Sequence, residues 1–421
     1  MNMLARTTVA TTTPVDRQDA QPEIILDLSR LLSRVLHPTP TGIDRVEMAY
    51  ARELLRRVPD RLHFAAVHQI VGYGRLAREE VLPFLDETER LWAGLESHAK
   101  YKLRVAAARK LLTLRPRPVP KASPDAPRVY LQASPNNLHK PDLIGGILRR
   151  EHARFVCLVH DLIPIQFPEY ARPGGADRHR RRMETLGLHA SALITNSAAT
   201  RDILTPFLAE MGPVPPTQIA HLGTATAGRT RAVTPNDIPY FVCVGTIEPR
   251  KNHLLLLNLW RRMAARQGQA VPKLVLIGRR GWENENVVDM LDRCEELRGH
   301  VIEASRMPDG DIEDLIAGAR ALLLPSFAEG YGMPVAEALA LGVPVLCSDL
   351  AAHREVGGSA PEYLDPLDGI GWLAAIDDYA SADSVRRRLQ QQRMRRWRAP
   401  NWEDHLDIVL DMCEQAVLQP V

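Results

Sequence analysis

The sequence predicts an α/β protein made of two doubly wound, parallel-sheet domains that face each other across a cleft. Length is the first reason, because 421 residues exceed what one ordinary hydrophobic core accommodates. The second is a series of short, nearly continuous apolar runs alternating with helical stretches, as expected of strands buried on both faces of a parallel sheet. The third is that this series occurs twice, on either side of a stretch at 224–239 rich in Thr, Ala, Gly and Pro.

Residues 1–21 are rich in Thr and small or polar side chains without a hydrophobic period, and are expected to form a disordered leader. The first domain is expected over 22–230, with strands at 23–28, 61–69, 129–133, 155–159 and 192–195. A helix at 44–57 has Val46, Ala49, Leu54 and Leu55 as its apolar side, and 79–114 also reads as helical. The linker is placed at 231–239. The second domain, 240–398, opens on Tyr240-Phe241-Val242-Cys243-Val244 and continues with strands at 273–277, 300–302, 321–324 and 343–347. Residues 399–421 carry Leu406, Ile408, Val409, Leu410 and Met412, and read as a final amphipathic helix expected to pack back on the first domain.

A hydrophobic content of 45% with 25% charged residues is that of a soluble globular protein, and a net charge of +2 means that any basic character is local. Cys157, Cys243, Cys294, Cys347 and Cys413 lack metal-ligand spacing and several lie in apolar runs, which points to buried thiols in a reducing compartment. No apolar stretch is long enough to span a bilayer and no signal peptide precedes the first strand, so a cytoplasmic protein is expected. One segment, 100–121, holds Lys100, Lys102, Arg104, Arg109, Lys110, Arg115, Arg117 and Lys121 around Val105, Leu111 and Leu112. It reads either as a solvated face or as an interfacial segment meeting anionic lipid or a lipid-linked diphosphate at the inner face of the membrane. The Arg178-His179-Arg180-Arg181-Arg182 cluster is likewise a helix face or an acceptor-side patch. Nucleic acid is disfavoured as a partner, because aromatics for base stacking are few.

Chemistry concentrates in the second domain. Leu322 to Leu324 read as a buried strand, Gly330 and Gly332 permit a tight turn, and Pro334 suits a helix start. Unpaired N–H groups at that helix end favour an anion, yet Glu329 and Glu337 flank it, and two acceptor-only carboxylates suit hydroxyls. A ligand that carries hydroxyls beside phosphate, such as a nucleotide sugar, meets both demands. Gly245-Thr246-Ile247-Glu248-Pro249-Arg250-Lys251-Asn252 follows the first strand of the same domain and puts two cations at a strand's carboxyl end. In the first domain, His37-Pro38-Thr39-Pro40-Thr41-Gly42-Ile43 is either a plain connection or a second loop facing phosphate or sugar, and His160-Asp161 follows a strand directly.

These motifs resemble family 4 of the retaining, metal-independent glycosyltransferases of GT-B fold, through residues 245–252 and the E-x7-E pair Glu329 and Glu337. Thr41-Gly42-Ile43-Asp44-Arg45-Val46-Glu47 and Val159-His160-Asp161-Leu162-Ile163-Pro164 are similar to loops of bacterial polysaccharide-assembly members. The resemblance implies that Arg250 and Lys251 hold and stabilise a leaving diphosphate, with Gly245 and Thr246 beside them. It implies that Glu329 bonds the transferred hexose, that Glu337 holds the ribose, and that Gly330, Tyr331, Gly332 and Met333 meet sugar and phosphate through backbone N–H groups. Thr41 and Gly42 would approach the phosphate, and His160 would lie beside the anomeric centre. Many members carry arginine where this chain has Thr246, which places more weight on Arg250 and Lys251. The expected donor is GDP-mannose, with a UDP- or dTDP-sugar as the alternative, and the expected acceptor is a glycan or polyprenyl-diphosphate-linked oligosaccharide. No cofactor or metal is expected.

Asp309-Gly310-Asp311 has the D-x-D form of a metal–nucleotide site but precedes a helical stretch, and reads as an N-cap. Asp377-Asp378 and Glu283-Asn284-Glu285 read as solvated acids. A non-catalytic nucleotide-sugar-binding scaffold keeps the same fold, but retention of both glutamates, both cations and His160 argues against it. An oxidoreductase is disfavoured because no G-x-G-x-x-G follows the first strand of either domain.

Overall fold

A computed structural model describes residues 21–35, 37, 39–68, 71–94, 114–119, 127–224, 238–305 and 307–418. The expected leader up to residue 20, most of the 100–121 basic segment and most of the expected linker lie outside these residues. The described residues form two sheets. The first has seven strands in the order β3-β2-β1-β4-β5-β6-β7: β1 Glu23–Asp27, β2 Leu62–His68, β3 Gly72–Leu76, β4 Arg128–Gln132, β5 Arg154–Val159, β6 Ala192–Thr195 and β7 Thr217–Ile219. The second has six in the order β10-β9-β8-β11-β12-β13: β8 Tyr240–Val244, β9 Lys273–Ile277, β10 Val301–Ala304, β11 Leu322–Leu324, β12 Val345–Ser348 and β13 Glu362–Leu364. Both orders reverse direction around their first strand, so β1 and β8 flank a switch point where the crossover loops part and a crevice opens.

Parallel pairing holds throughout except at β3, which runs antiparallel to β2 with Phe64 opposite Leu76. This edge strand, Gly-Tyr-Gly-Arg-Leu, and the three-residue edges β7 and β13 escape sequence reading because none has the apolar continuity of a strand covered on both faces. The described helix at 78–92 ends at Trp92, and 95–113 of the expected helical stretch lie outside the described residues.

Helix Gly42–Arg57 begins at a capping box: Thr41 N–H donates to Asp44 Oδ2 at 2.6 Å, which fixes where the loop after β1 ends. The last helix, Trp402–Leu418, crosses back to the first sheet and buries Leu406, Val409, Met412, Cys413 and Ala416 completely. Each such large side chain contributes roughly 1.5–3 kcal/mol to its docking. His405 on this helix donates from Nδ1 to the Ala220 carbonyl at 3.1 Å and accepts at Nε2 from the buried Tyr50 hydroxyl at 2.8 Å, and burial pushes its pKa down to about 4, so the imidazole is neutral.

Behind the loop after β1 lie two fully buried acids. Asp27 accepts from Ser29 Oγ at 2.8 Å and Tyr130 Oη at 2.6 Å. Glu47 accepts from Leu31 N–H at 2.9 Å with one oxygen, and its other oxygen has no partner among the described residues. Burial, then the neighbouring Asp27, raises Glu47 to about 8, so it is protonated at neutral pH. The unfolded chain ionises Glu47 near its ordinary value while the native state keeps the proton until about pH 8. Between those limits the unfolded state binds fewer protons, and stability falls as pH rises. Glu47→Gln is therefore expected to flatten the decline in Tm between pH 5 and 8 and to raise Tm at pH 8 by a few degrees. Parallel Tm–pH curves for both proteins would show that Glu47 is not the source.

Candidate functional site

The carboxyl ends of both sheets open on a cleft of about 550 Å³ lined from both domains. Its wall includes Thr41, Gly42, His160, Gly245, Thr246, Arg250, Lys251, Glu329, Gly330, Tyr331, Gly332, Met333 and Glu337. The centre is an ion cluster. Glu329 accepts from Arg250 Nη1 at 2.7 Å, Lys251 Nζ at 2.6 Å and Ser326 Oγ at 2.7 Å, while Glu248 Oε1 takes Arg250 Nε at 2.7 Å. Burial pushes the Glu329 carboxyl up, but Arg250 and Lys251 outweigh it and hold the group well below the usual carboxylate range. Both cations are thus bound to Glu329 rather than standing apart from it, a coupling that the sequence spacing does not disclose. A carboxylate has about four acceptor positions. With Lys251 and Ser326 on Oε1 and Arg250 on Oε2, one position on Oε2 is left for an outside hydroxyl.

Local structure explains these placements. Arg250 and Lys251 lie in the single 3-10 turn Pro249–Lys251, and Asn252 in left-handed conformation (φ 55°) separates it from helix His253–Gln267. Arg250 C=O accepts from Phe327 N–H at 2.8 Å and Arg250 Nη1 donates to Ala328 C=O at 2.9 Å, which tie the loop after β8 to the loop after β11. Gly332 adopts φ 97° as the residue before helix Met333–Ala340, a conformation that disfavours a side chain. Glu337, one turn into that helix, lines the cleft, and its carboxylate has no hydrogen-bond partner among the described residues. Its pKa is raised by burial, against Arg45, and further by Asp309 and Glu313.

The glutamate-glycine turn also touches the other domain. A Cβ on Gly330 would lie 2.2 Å from the His160 carbonyl oxygen, so no other residue fits there without displacing one domain. Ser197 Oγ, at the N-cap of helix Ala198–Ala209, donates to Gly330 C=O at 2.6 Å. His160 Nε2 lies 2.8 Å from Ala133 C=O. A carbonyl only accepts, so Nε2 carries the proton and Nδ1 keeps its lone pair. Burial depresses the His160 pKa, which keeps the ring neutral.

One expectation is overturned. Asp309 is not an N-cap: Pro308 precedes helix Asp309–Ala317, and Asp309, its first residue, forms a bidentate pair with Arg45 of the first domain at 2.5 and 2.7 Å. Arg45 and Glu248 are cleft residues that sequence reading missed, although each sits within a motif it had singled out. Of the arginine cluster, His179 is buried and its Nε2 lies 2.9 Å from Asp161 C=O, so it supports the His160-Asp161 loop rather than facing an acceptor.

Gly330→Ala is expected to force the domains apart, increasing the radius of gyration in small-angle scattering and lowering Tm by a few degrees. Gly146→Ala, where an added Cβ meets nothing within 4 Å, is the control and leaves both unchanged. An unaltered scattering profile in Gly330→Ala would remove the close approach as a constraint.

Residues 228–396 match the family described as "Glycosyl transferases group 1". O-antigen chain mannosyltransferase B of Escherichia coli is 34% identical over 165 residues, 39% of this chain and 43% of that protein. The serotype-specific mannosyltransferase WbdA of E. coli is 28% identical over 258 residues, 57% of this chain and 31% of that protein. The chain thus spans less than half the length of these relatives. Anabaena HepE, solved with UDP and glucose, superposes with a TM-score of 0.56 at 15% identity over 92% of this chain and 98% of that one, a likeness of GT-B fold alone.

Proposed function

We propose that this chain, whose residues 228–396 form a domain of the Glycosyl transferases group 1 family, is a retaining glycosyltransferase of cell-surface polysaccharide assembly. It moves a hexose, mannose from GDP-mannose, onto a glycan or polyprenyl-diphosphate-linked acceptor at the cytoplasmic face of the membrane. One observation carries the reading: Arg250 and Lys251 converge on Glu329 in a two-domain cleft that also holds Glu337 and a neutral His160. The mannose assignment draws on the names of the E. coli relatives.

In this reading the donor diphosphate lies against Arg250 and Lys251, Glu337 holds the ribose hydroxyls, and the open position on Glu329 takes a hexose hydroxyl. The acceptor oxygen bonds to C1 on the face from which the C1–O bond to phosphate breaks, and its proton passes to the departing phosphate. The protein's work is charge stabilisation and positioning, in a site where fixed donors need no reorganisation. Neutral His160 stands beside the oxocarbenium-like centre without adding positive charge. Protein cations neutralise the diphosphate, so turnover is expected to persist in EDTA; loss in chelator and recovery with magnesium would assign that task to a metal.

The decisive experiment incubates purified protein with GDP-, UDP- and dTDP-sugars, with and without lipid-linked acceptor extract, and follows released nucleotide. Acceptor-dependent release of GDP from GDP-mannose is expected, and no turnover or binding of any donor removes the reading. Lys251→Ala is expected to lower kcat on the order of a hundredfold with a folded protein remaining. His160→Ala should lower kcat with the donor KM largely kept, whereas a mere loss of Tm would return His160 to a structural role.

A further inference from the structure

Beside the main cleft lies a second cavity of about 410 Å³, walled by Arg34, His37 and Arg172 of the first domain and by Arg279, Arg280 and Trp282 of the second. Thr246, Arg279 and Trp282 line both spaces, so the two are neighbours. Its positive charge is poorly matched. Arg280 is answered by Asp292 at 2.6 Å and Glu303 at 2.7 Å. Arg34, only 19% exposed, shares the single carboxylate of Asp44 with Arg30, at 3.5 Å against 2.6 Å for Arg30. Arg34 Nε and Nη2 are buried without a hydrogen-bond partner among the described residues. Arg172 lies over the Trp282 ring at 5.0 Å, and Arg279 has no ion pair among the described residues. A guanidinium largely withdrawn from water, with two nitrogens unbonded, is costly unless an anion completes it.

The inner cluster has no such surplus, since Arg250 and Lys251 are offset by Glu248 and Glu329. Arg279 is also well placed relative to the inner loop. Its carbonyl accepts from Ile247 N–H at 2.9 Å, and a Cβ on Gly278 would meet Gly245 C=O at 1.9 Å, so the loops after β8 and β9 are packed directly on each other. We propose that Arg34, Arg172 and Arg279 form a second phosphate- or diphosphate-binding site, built only when the two domains meet and distinct from Arg250 and Lys251. Three guanidinium forks on one cavity suit bidentate capture of phosphate oxygens. Anion binding here needs no transferase activity, and only the identity of the occupant rests on the proposed function. That occupant is the diphosphate of a lipid-linked acceptor.

The test titrates the full chain with inorganic pyrophosphate at low ionic strength, comparing wild type, Arg279→Gln, Arg34→Gln/Arg279→Gln and Arg250→Gln/Lys251→Gln, with folding checked by thermal melting. Arg279 is exposed, so its single variant is expected to fold even where the double one does not. Arg279→Gln is expected to weaken pyrophosphate about tenfold, and Arg34→Gln/Arg279→Gln further. Sites remaining in Arg250→Gln/Lys251→Gln should still bind. Parallel titrations with GDP and farnesyl diphosphate separate the two sites: weaker farnesyl diphosphate binding with GDP binding kept is expected, whereas an equal loss of GDP would merge the cavity with the donor site and overturn the proposal. Wild-type pyrophosphate affinity in Arg279→Gln, or the same loss from the exposed, remote Arg395→Gln, overturns it.

Discussion

Glu329 has to be ionised where water is largely excluded, and the second domain is arranged around that requirement. A buried carboxylate without countercharge would take up a proton or destabilise the fold by several kcal/mol. Arg250, Lys251 and Ser326 meet the demand from two loops that are far apart in sequence, and Glu248 balances what remains of Arg250. The same cluster holds the loops after β8 and β11 in one register. Whatever binds the cleft therefore meets cations already oriented by hydrogen bonds, which limits the reorganisation needed at the moment of charge development.

The turn that carries Glu329 is also a joint between domains. Gly330 touches the His160 carbonyl, Ser197 donates to Gly330, and Tyr331 Oη donates to Leu222 C=O at 2.9 Å. Further out, Ala198 N–H donates to Glu355 Oε1 at 2.7 Å, His221 Nε2 lies 2.8 Å from the same oxygen, and Tyr170 stacks on Phe327. Apart from the Tyr170–Phe327 stack and the Gly330 approach, the contacts named here are hydrogen bonds made largely by loops and helix ends. The returning helix Trp402–Leu418 differs: its contact with the first sheet is apolar and fully buried, which ties it to that domain.

Charge is distributed unevenly across the opening. The inner cluster is nearly balanced, Arg45 and Asp309 neutralise each other across the cleft, and uncompensated guanidinium groups gather at the adjoining cavity. A net charge of +2 for the chain conceals this arrangement, since local fields depend on which pairs fold brings together.

The sequence by itself determined the α/β class, most strands and the location of the cleft, because apolar continuity in β1, β4, β5, β8 and β11 reflects burial on both faces, a local property of each segment. It also identified Glu329, Glu337, Arg250, Lys251 and His160 as cleft residues, since strand-end loops must lie at the crevice of a doubly wound sheet. The short edges β3, β7 and β13 were hidden, because none forms a continuous apolar run and their pairing depends on a neighbour. Only the tertiary structure decided that Glu329 binds both cations, that Asp309 answers Arg45 across 264 positions of chain, and that Arg34 and Arg279 share one cavity. Those pairings are set by where two separately built domains meet, and no period or spacing along the chain records that distance.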